Sequence, residues 1–419
     1  MRIVAAEINS GDTAWVLASA ALVMFMTPGL ALFYGGMVRA KNVLTMLMQN
    51  FFSLGLVSIL WAVVVYSLAF GGTGKWIGNF DFAWLGHFHT GPPVLAEALT
   101  IPPSLYMAYQ LMFAIITPAL ITGAIADRVR FGAWVWFLGL WLVLVYAPIA
   151  HWVFAPSGWL FDLGALDFAG GTVVHINAGI AALAVVLVLG RRRGWPDTPM
   201  PPHSLPLTLI GTGILWFGWF GFNAGSALGA NGLAAQALVN THMAAAAAMI
   251  GWLIVERGHT GHATTLGGAS GAVAGLVAIT PCAGFVGGMS PIANGLIAGA
   301  VCYAAIHLKF KFRYDDALDV VGVHLVGGIV GSLLLGLFAD KAVNEFGADG
   351  LFLGGGLTLL GYQLTAVIAT LVWSGLITFG IVFALDKVLP GGMRVDEEEE
   401  DTGLDLGEHS ESGYAFAER

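Results

Sequence analysis

Eleven apolar stretches, each close to the length of a membrane-crossing helix, recur along this chain. They run roughly 14–36, 45–70, 100–126, 132–150, 170–190, 206–225, 234–256, 264–280, 291–309, 319–338 and 357–388. At a rise of 1.5 Å per residue such a helix covers about 30 Å of hydrocarbon, and in that solvent every backbone amide must be satisfied within the chain. With 57% hydrophobic and only 10% charged residues, the chain would be poorly soluble as a globule. The expected fold is therefore an all-α polytopic membrane protein of eleven transmembrane helices, embedded in the lipid bilayer.

Basic residues fix the orientation expected of such a chain, because Lys and Arg in short loops stay on the cytoplasmic side. An eleven-span count puts fourteen of the 17 basic residues on one side and only Arg2, Lys75 and Lys341 on the other. That split predicts an N-terminus outside and a C-terminus in the cytoplasm, in the cytoplasmic membrane. Met1 to Asp12 lacks a basic stretch followed by an apolar one, so no cleavable signal is expected and the first span is retained.

The chain's formal charge of −9 is misleading about partners. Residues 394–419 hold ten acidic and two basic residues, a net −8, and the membrane body is nearly neutral. No nucleic-acid partner is expected. The chain divides into a transmembrane region, 1–390, and an acidic cytoplasmic tail, 391–419, in which the run Asp396 to Asp401 reads as solvated and mobile. Cys282 and Cys302 have neither metal-ligand spacing nor a disulfide framework and read as packing residues.

Two histidines lie deep in glycine-rich apolar segments: His175 in GGTVVHINAGIAAL and His324 in DVVGVHLVGGIVGSL. Ionisable groups inside hydrocarbon are costly and usually face a cavity or a partner. Their surroundings repeat, since Val174-His175 precedes Gly179-Ile180 at the spacing with which Val323-His324 precedes Gly328-Ile329. The copies lie in spans five and ten, an odd offset, so they cross the bilayer in opposite directions. This is the pattern of an inverted five-helix repeat, with halves at about 14–190 and 206–338 and the last helix, 357–388, outside it. Ile-Thr-Pro recurs in spans three and eight at the same offset. Asp167 and Asp316 each stand eight residues before a histidine, or about 12 Å along a helix. Starting from opposite faces, both imidazoles reach the membrane midplane, within reach of each other.

Other features narrow the chemistry. Series such as Gly267, Gly271, Gly275 and Gly295, Gly299 let helices approach closely in lipid and read as packing. No phosphate-binding loop is present, which argues against ATP-driven pumping. Two imidazoles without a nearby carboxylate or thiolate leave metal coordination incomplete, and neither a metal nor a cofactor is expected. Nucleophile, base and orienting group do not coincide, so the chain does not read as an enzyme. Trp219 to Ser226 (WFGFNAGS) ends span six with aromatics, an amide and a hydroxyl, and span three adds Tyr109, Gln110 and Phe113. Aromatic faces attract cations, although aromatics at membrane ends are also ordinary interfacial anchors. Asp167 reads either as a cation ligand or as a helix N-cap, with structural support preferred.

These residues together resemble the ammonium transporter (Amt/Rh) family, on its bacterial Amt branch. GALDFAGGTVVHINAGIAAL, GWFGFNAGSA, GAVAGLVAITPCAGFVG, YDDALDVVGVHLVGG and GLDLGEHSESGY look like family motifs in family order. The resemblance implies a homotrimer with one narrow pore per protomer. It makes His175 and His324 the twin pore histidines, Phe113 and Phe222 a stacked gate, Ser226 an external ammonium ligand and Asp167 a supporting aspartate, with Trp219 lining the vestibule. One departure concerns the outer vestibule, where Phe154 takes the position of the family's tryptophan after Ala150-His151-Trp152-Val153. A phenyl face binds cations less well than an indole, unless Trp152 or Trp159 substitutes. Tyr109 is a second variation near the gate.

The expected function is ammonium and ammonia transport, with methylammonium as a further substrate. Ammonium is recruited outside and deprotonated, and ammonia passes the histidines, because a bare ion in an apolar pore costs far more than such contacts return. The resemblance also implies that a PII-type signal protein docks on the cytoplasmic face. The alternative is an ammonium sensor that signals through its acidic tail.

Overall fold

The computed structural model describes residues 7–93 and 95–414. Among these, eleven apolar helices match the eleven stretches in order. They are α1 Ser10–Met37, α2 Ala40–Phe70, α3 Pro103–Ile125, α4 Phe131–Leu163, α5 Gly171–Leu189, α6 Leu205–Ala227, α7 Gly232–Thr260, α8 Thr265–Ile279, α9 Ser290–Phe312, α10 Val321–Phe338 and α11 Thr358–Val388. Ten are long and apolar enough to cross a membrane, whereas α8, at 15 residues, is shorter. The described residues form no strand, only an isolated bridge between Val129 and Arg394.

Side-chain caps start several of these helices, because the first-turn amides have no partner inside the helix. Asn9 accepts from the Gly11 and Asp12 amides before α1, at 2.8 and 3.0 Å. Asn231 and Thr264 do the same for α7 and α8. Within the bundle, glycine sets the spacing. A methyl group on Gly295 or Gly299 of α9 would stand 2.2 Å from the Ala244 or Ala248 carbonyl of α7, and one on Gly211 of α6 would stand 2.2 Å from the Phe33 amide of α1. Without a solvent-driven hydrophobic force in lipid, such backbone contact is what holds helices together.

The inverted repeat is visible at α5 and α10. Each opens with a wide π-type turn, Gly171–Ile176 and Val321–Leu325, that carries its histidine. Gly179 meets the backbone of Leu325, while Gly328 meets Ile176. As numbering falls from 179 to 176 on one helix it rises from 325 to 328 on the other, so the two run antiparallel where they cross. Each glycine, four residues after its own histidine, touches the residue that follows the other one.

Charge is sorted between the two ends of the bundle. At one end Arg39 pairs with Asp127 (3.1 Å), Arg128 with Asp315 (3.1 Å), and Arg192 with both Asp315 (2.9 Å) and Asp127 (3.3 Å). Burial would raise the Asp315 carboxyl, but hydrogen bonds from Arg192 and the charges of Arg128 and Arg192 hold it below the usual carboxylate range. Lys75 pairs with Asp162 at the other end (3.4 Å). Arg2 and Arg419 lie outside the described residues.

The acidic tail is helical in part, although most of the run Asp396 to Asp401 is exposed. It folds into two short helices, α12 Glu397–Thr402 and α13 Leu404–His409. Glu400 is buried, reached by the Arg394 guanidinium (2.6 Å) and the Arg193 amide (2.6 Å). Asp405 accepts from the Leu44 and Thr45 amides near the start of α2, and Glu408 from the Phe131 amide that opens α4. Within the run Asp396 to Asp401 only Glu400 is buried, against arginine, whereas Asp405 and Glu408, which lie beyond the run, are spent on the orphan amides of helix starts.

Candidate functional site

The site is assembled where α3, α5, α6 and α10 meet. Asp167 builds its first wall: one carboxylate oxygen accepts from the Gly170 and Gly171 amides (2.8 and 2.6 Å), the other from the Thr172 amide (2.8 Å) and the Thr172 hydroxyl. Asp316 repeats the arrangement, accepting from the Val320 and Val321 amides at 3.1 and 2.7 Å. Both acids thus seize amides four and five residues ahead and fix the turn that carries a histidine. Of the two readings of Asp167, cation ligand or helix N-cap, this geometry is that of the cap. Its oxygens are taken up by its own helix start, so the structure places it behind the site rather than in contact with a permeant.

His175 and His324 are buried and meet Nδ1 to Nδ1 at 3.3 Å, their rings stacked within 21° at 5.3 Å. Only one Nδ1 of a neutral pair can carry the shared proton, so the other accepts it. The Nε2 of His175 is buried and has no hydrogen-bond partner among the described residues. A cavity of about 10 Å³, no more than a single water-sized space, is lined by both histidines, Trp219, Phe222 and apolar side chains that include Leu30, Ile116 and Val273.

Phe113 and Phe222 pack against each other with ring centroids 4.4 Å apart, and Phe222 lies 6.2 Å from the His175 ring. Both phenyl rings are buried, and together they form an apolar plug next to the histidines. Ser226 sits one helical turn beyond Phe222, donating to its carbonyl at 2.8 Å and lying 3.2 Å from the Tyr109 hydroxyl.

Two placements differ from expectation. Trp219 is not an outer-vestibule residue: it stacks on His175 at 5.5 Å, lines the same cavity and donates its indole N–H to Thr280 at 2.9 Å. Its place follows from helix periodicity, since three residues before Phe222 is one turn deeper on the same face. Thr280 escaped notice as a site residue, although it is the threonine of the repeated Ile-Thr-Pro. Phe154 is half-buried near the end of α4, and among the described residues no ring contact joins it to Phe113, Phe222 or Trp219. Its proposed substitutes are engaged with each other. Trp152 donates to the Trp76 carbonyl at 2.7 Å, and Trp159 stacks on Trp76 at 5.5 Å.

No group of three His, Cys, Asp or Glu side chains converges as a metal site among the described residues. The arrangement is a nearly closed, mostly apolar enclosure that holds two stacked imidazoles, one with a buried ring nitrogen left unpartnered among the described residues, beside an aromatic plug and a pair of hydroxyls.

Known proteins share this architecture. The family model described as Ammonium Transporter Family matches residues 14–414. The chain is 51% identical to an ammonium transporter of Mycobacterium tuberculosis, over 98% of its own length and 91% of the relative's. It is 49% identical to an ammonium transporter of Bacillus subtilis, over 97% and 99% of the two chains. Its backbone superposes on the crystal structure of Candida albicans Mep2 with a TM-score of 0.88 at 36% identity, covering 94% of this chain and 88% of that one. A structure described as a sensor Amt protein matches with a TM-score of 0.86 at 30% identity, covering 95% and 98%. With the family motifs matched from end to end and the fold shared, the chain belongs to the ammonium transporter family.

Proposed function

We propose that this member of the family receives ammonium at the mouth formed by Phe113, Phe222 and Ser226, where it parts from its proton, that neutral ammonia passes His175 and His324, and that the proton follows separately through the imidazole pair, so that net charge crosses with each ammonia. The observation that carries this reading is the Nδ1 to Nδ1 contact of 3.3 Å inside an apolar enclosure. In a neutral pair that shares one proton, the ring that donates through Nδ1 offers a bare Nε2, and the ring that accepts carries its proton on Nε2. Ammonia, both donor and acceptor, can satisfy either. An ammonium ion in the same space would face two neutral rings and hydrocarbon, at a desolvation cost that no counter-charge offsets.

Selectivity follows from proton loss rather than size. Potassium matches ammonium in charge and approximate radius but has no proton to give up. Currents recorded on proteoliposomes containing the full chain are expected with ammonium and methylammonium and to be absent with potassium. Potassium currents comparable to those with ammonium would overturn the mechanism.

The proposal extends to setting and assembly. The basic end of the bundle faces the cytoplasm, which leaves the N-terminus outside. Protomers assemble as a homotrimer, a reading supported by His242, which is exposed on α7 beside Trp216 at 5.5 Å. Trp216 stands halfway along α6, so this ionisable side chain would meet hydrocarbon unless another protomer covered it. Family likeness adds docking of a PII-type signal protein at the inner end. No observation favours a pure sensor, because the acidic tail that motivated it is occupied with capping α2 and α4. Growth of a transport-deficient strain on limiting ammonium separates the two: a transporter rescues it and a sensor does not.

A further inference from the structure

At the mouth of the aromatic plug, four oxygens share few protons. The Tyr109 hydroxyl lies 2.9 Å from the Gly221 carbonyl, 2.9 Å from the Phe222 carbonyl and 3.2 Å from the Ser226 hydroxyl. Ser226 in turn donates to the Phe222 carbonyl at 2.8 Å. Carbonyls cannot donate, so two hydroxyl protons serve four oxygens, with the Gly225 amide as one further donor to Gly221. When both hydroxyl protons rest on the carbonyls of α6, the Tyr109 and Ser226 oxygens face each other with lone pairs only. The phenol is not free to turn away: its ring is buried edge-on against Phe113 at 5.0 Å, and its oxygen stands where only a glycine at 225 leaves room, since a methyl there would come within 2.7 Å of it.

We propose that Tyr109 is the positioning residue for recognition at the gate: it locks the Ser226 hydroxyl as an acceptor, so that the entrance selects a permeant that brings its own N–H donors. This rests on the reading that Ser226 and the Phe113–Phe222 pair receive ammonium. It also gives the departure at Phe154 a consequence. Where no indole face contributes cation attraction, hydrogen-bond acceptance takes the larger share of recognition. Ammonium, with four N–H groups, fits a donor-poor site better than methylammonium with three.

The test is Tyr109→Phe in the full chain, reconstituted in proteoliposomes and assayed by initial current against concentration. The ammonium concentration giving half-maximal current is expected to rise about tenfold, as for a lost hydrogen bond to a charged group. The maximal current should stay within about twofold, because the lumen is untouched, and the preference for ammonium over methylammonium should narrow. Ser226→Ala should produce a similar rise, and the double variant no further one, because the two hydroxyls act as a unit. An unmoved half-saturation in Tyr109→Phe, or a fall in maximal current alone, overturns the positioning role while leaving transport intact. Strictly multiplicative effects in the double variant also overturn it. If the unsubstituted protein carries no ammonium current, the transport reading fails and this inference with it.

Discussion

Gly179 on α5 lies so close to Leu325 on α10 that a methyl group on its α-carbon would stand 2.4 Å from the Leu325 nitrogen. Leu325 follows His324, so this contact sets the distance at which the two histidines meet. Gly179→Ala is expected to force α10 outward, at a cost of about 1–3 kcal/mol for overpacking, and to break the imidazole contact. Ammonium uptake should fall at least about tenfold, with a lowered melting temperature. Gly328→Ala should be milder, because its nearest neighbour is a side-chain carbon of Ile176 at 2.9 Å. Initial uptake rates of the two variants in proteoliposomes decide it, and equal losses would show that the crossing is not set at Gly179.

Replacing His175 and His324 together by Leu leaves the corridor apolar from end to end. Neutral ammonia then has no group with which to exchange a hydrogen bond at its narrowest point. Ammonium current is expected to drop below about a tenth of the original, the scale set by the loss of about two neutral hydrogen bonds, or else to lose its discrimination against potassium. Full and selective uptake in this variant would remove the histidines from the mechanism.

Asp167 separates a ligand from a scaffold. Asp167→Asn keeps one acceptor oxygen but points an NH₂ group at amides that are themselves donors, which leaves some of the α5 start unpaired. The expected result is a loss of about 1–3 kcal/mol of stability and a lower maximal rate, as the turn bearing His175 loosens. Half-saturation should not move, because Asp167 touches no permeant. A rise in half-saturation at unchanged stability would return it to the binding residues.

Much of this was legible in the sequence. The eleven helices and the antiparallel histidine segments follow from apolar length and from the odd offset of the repeat, quantities that hydrocarbon thickness fixes directly. What escaped detection depended on rotation about helix axes and on contacts between distant segments. The family resemblance implies a vestibule position for Trp219, whereas its spacing to Phe222 puts it beside His175. The partnership of Tyr109 with Ser226 links residues 117 positions apart, which no local pattern reveals. The roles of Glu400, Asp405 and Glu408 are equally hidden, because an acidic residue looks alike in sequence whether it meets water, an arginine or the amide-rich end of a helix.

That tail offers a stability test. The Asp405 carboxylate accepts from the Leu44 amide, the Thr45 amide and the Thr45 hydroxyl, at 3.0, 2.9 and 3.1 Å. Asp405→Ala removes a cap and is expected to cost about 1 kcal/mol, felt first as release of the tail. Limited proteolysis should then cut beyond residue 395 several times faster, while ion pairs such as Arg128 with Asp315 hold the rest of that end of the bundle. An unchanged cleavage rate would mean that α12 and its Glu400 contacts alone hold the segment down.

His242 tests the assembly. Its ring lies 5.5 Å from Trp216 and 6.2 Å from Phe220, on an exposed face of α7. The Trp216 indole nitrogen beside it is buried without a hydrogen-bond partner among the described residues. A lipid-facing position would penalise a permanent charge by about 2.5–3.5 kcal/mol during insertion, whereas an interface position would penalise it through the partner protomer. His242→Arg is therefore expected to insert, because the long side chain can reach toward the membrane surface, and yet to shift the protein from trimer to smaller species in mild detergent. His242→Leu should remain trimeric, since an apolar side chain needs no partner. Native mass spectrometry of the two variants reads the difference directly, and an undiminished trimer in His242→Arg would place this face of α7 in lipid and leave the assembly to another surface.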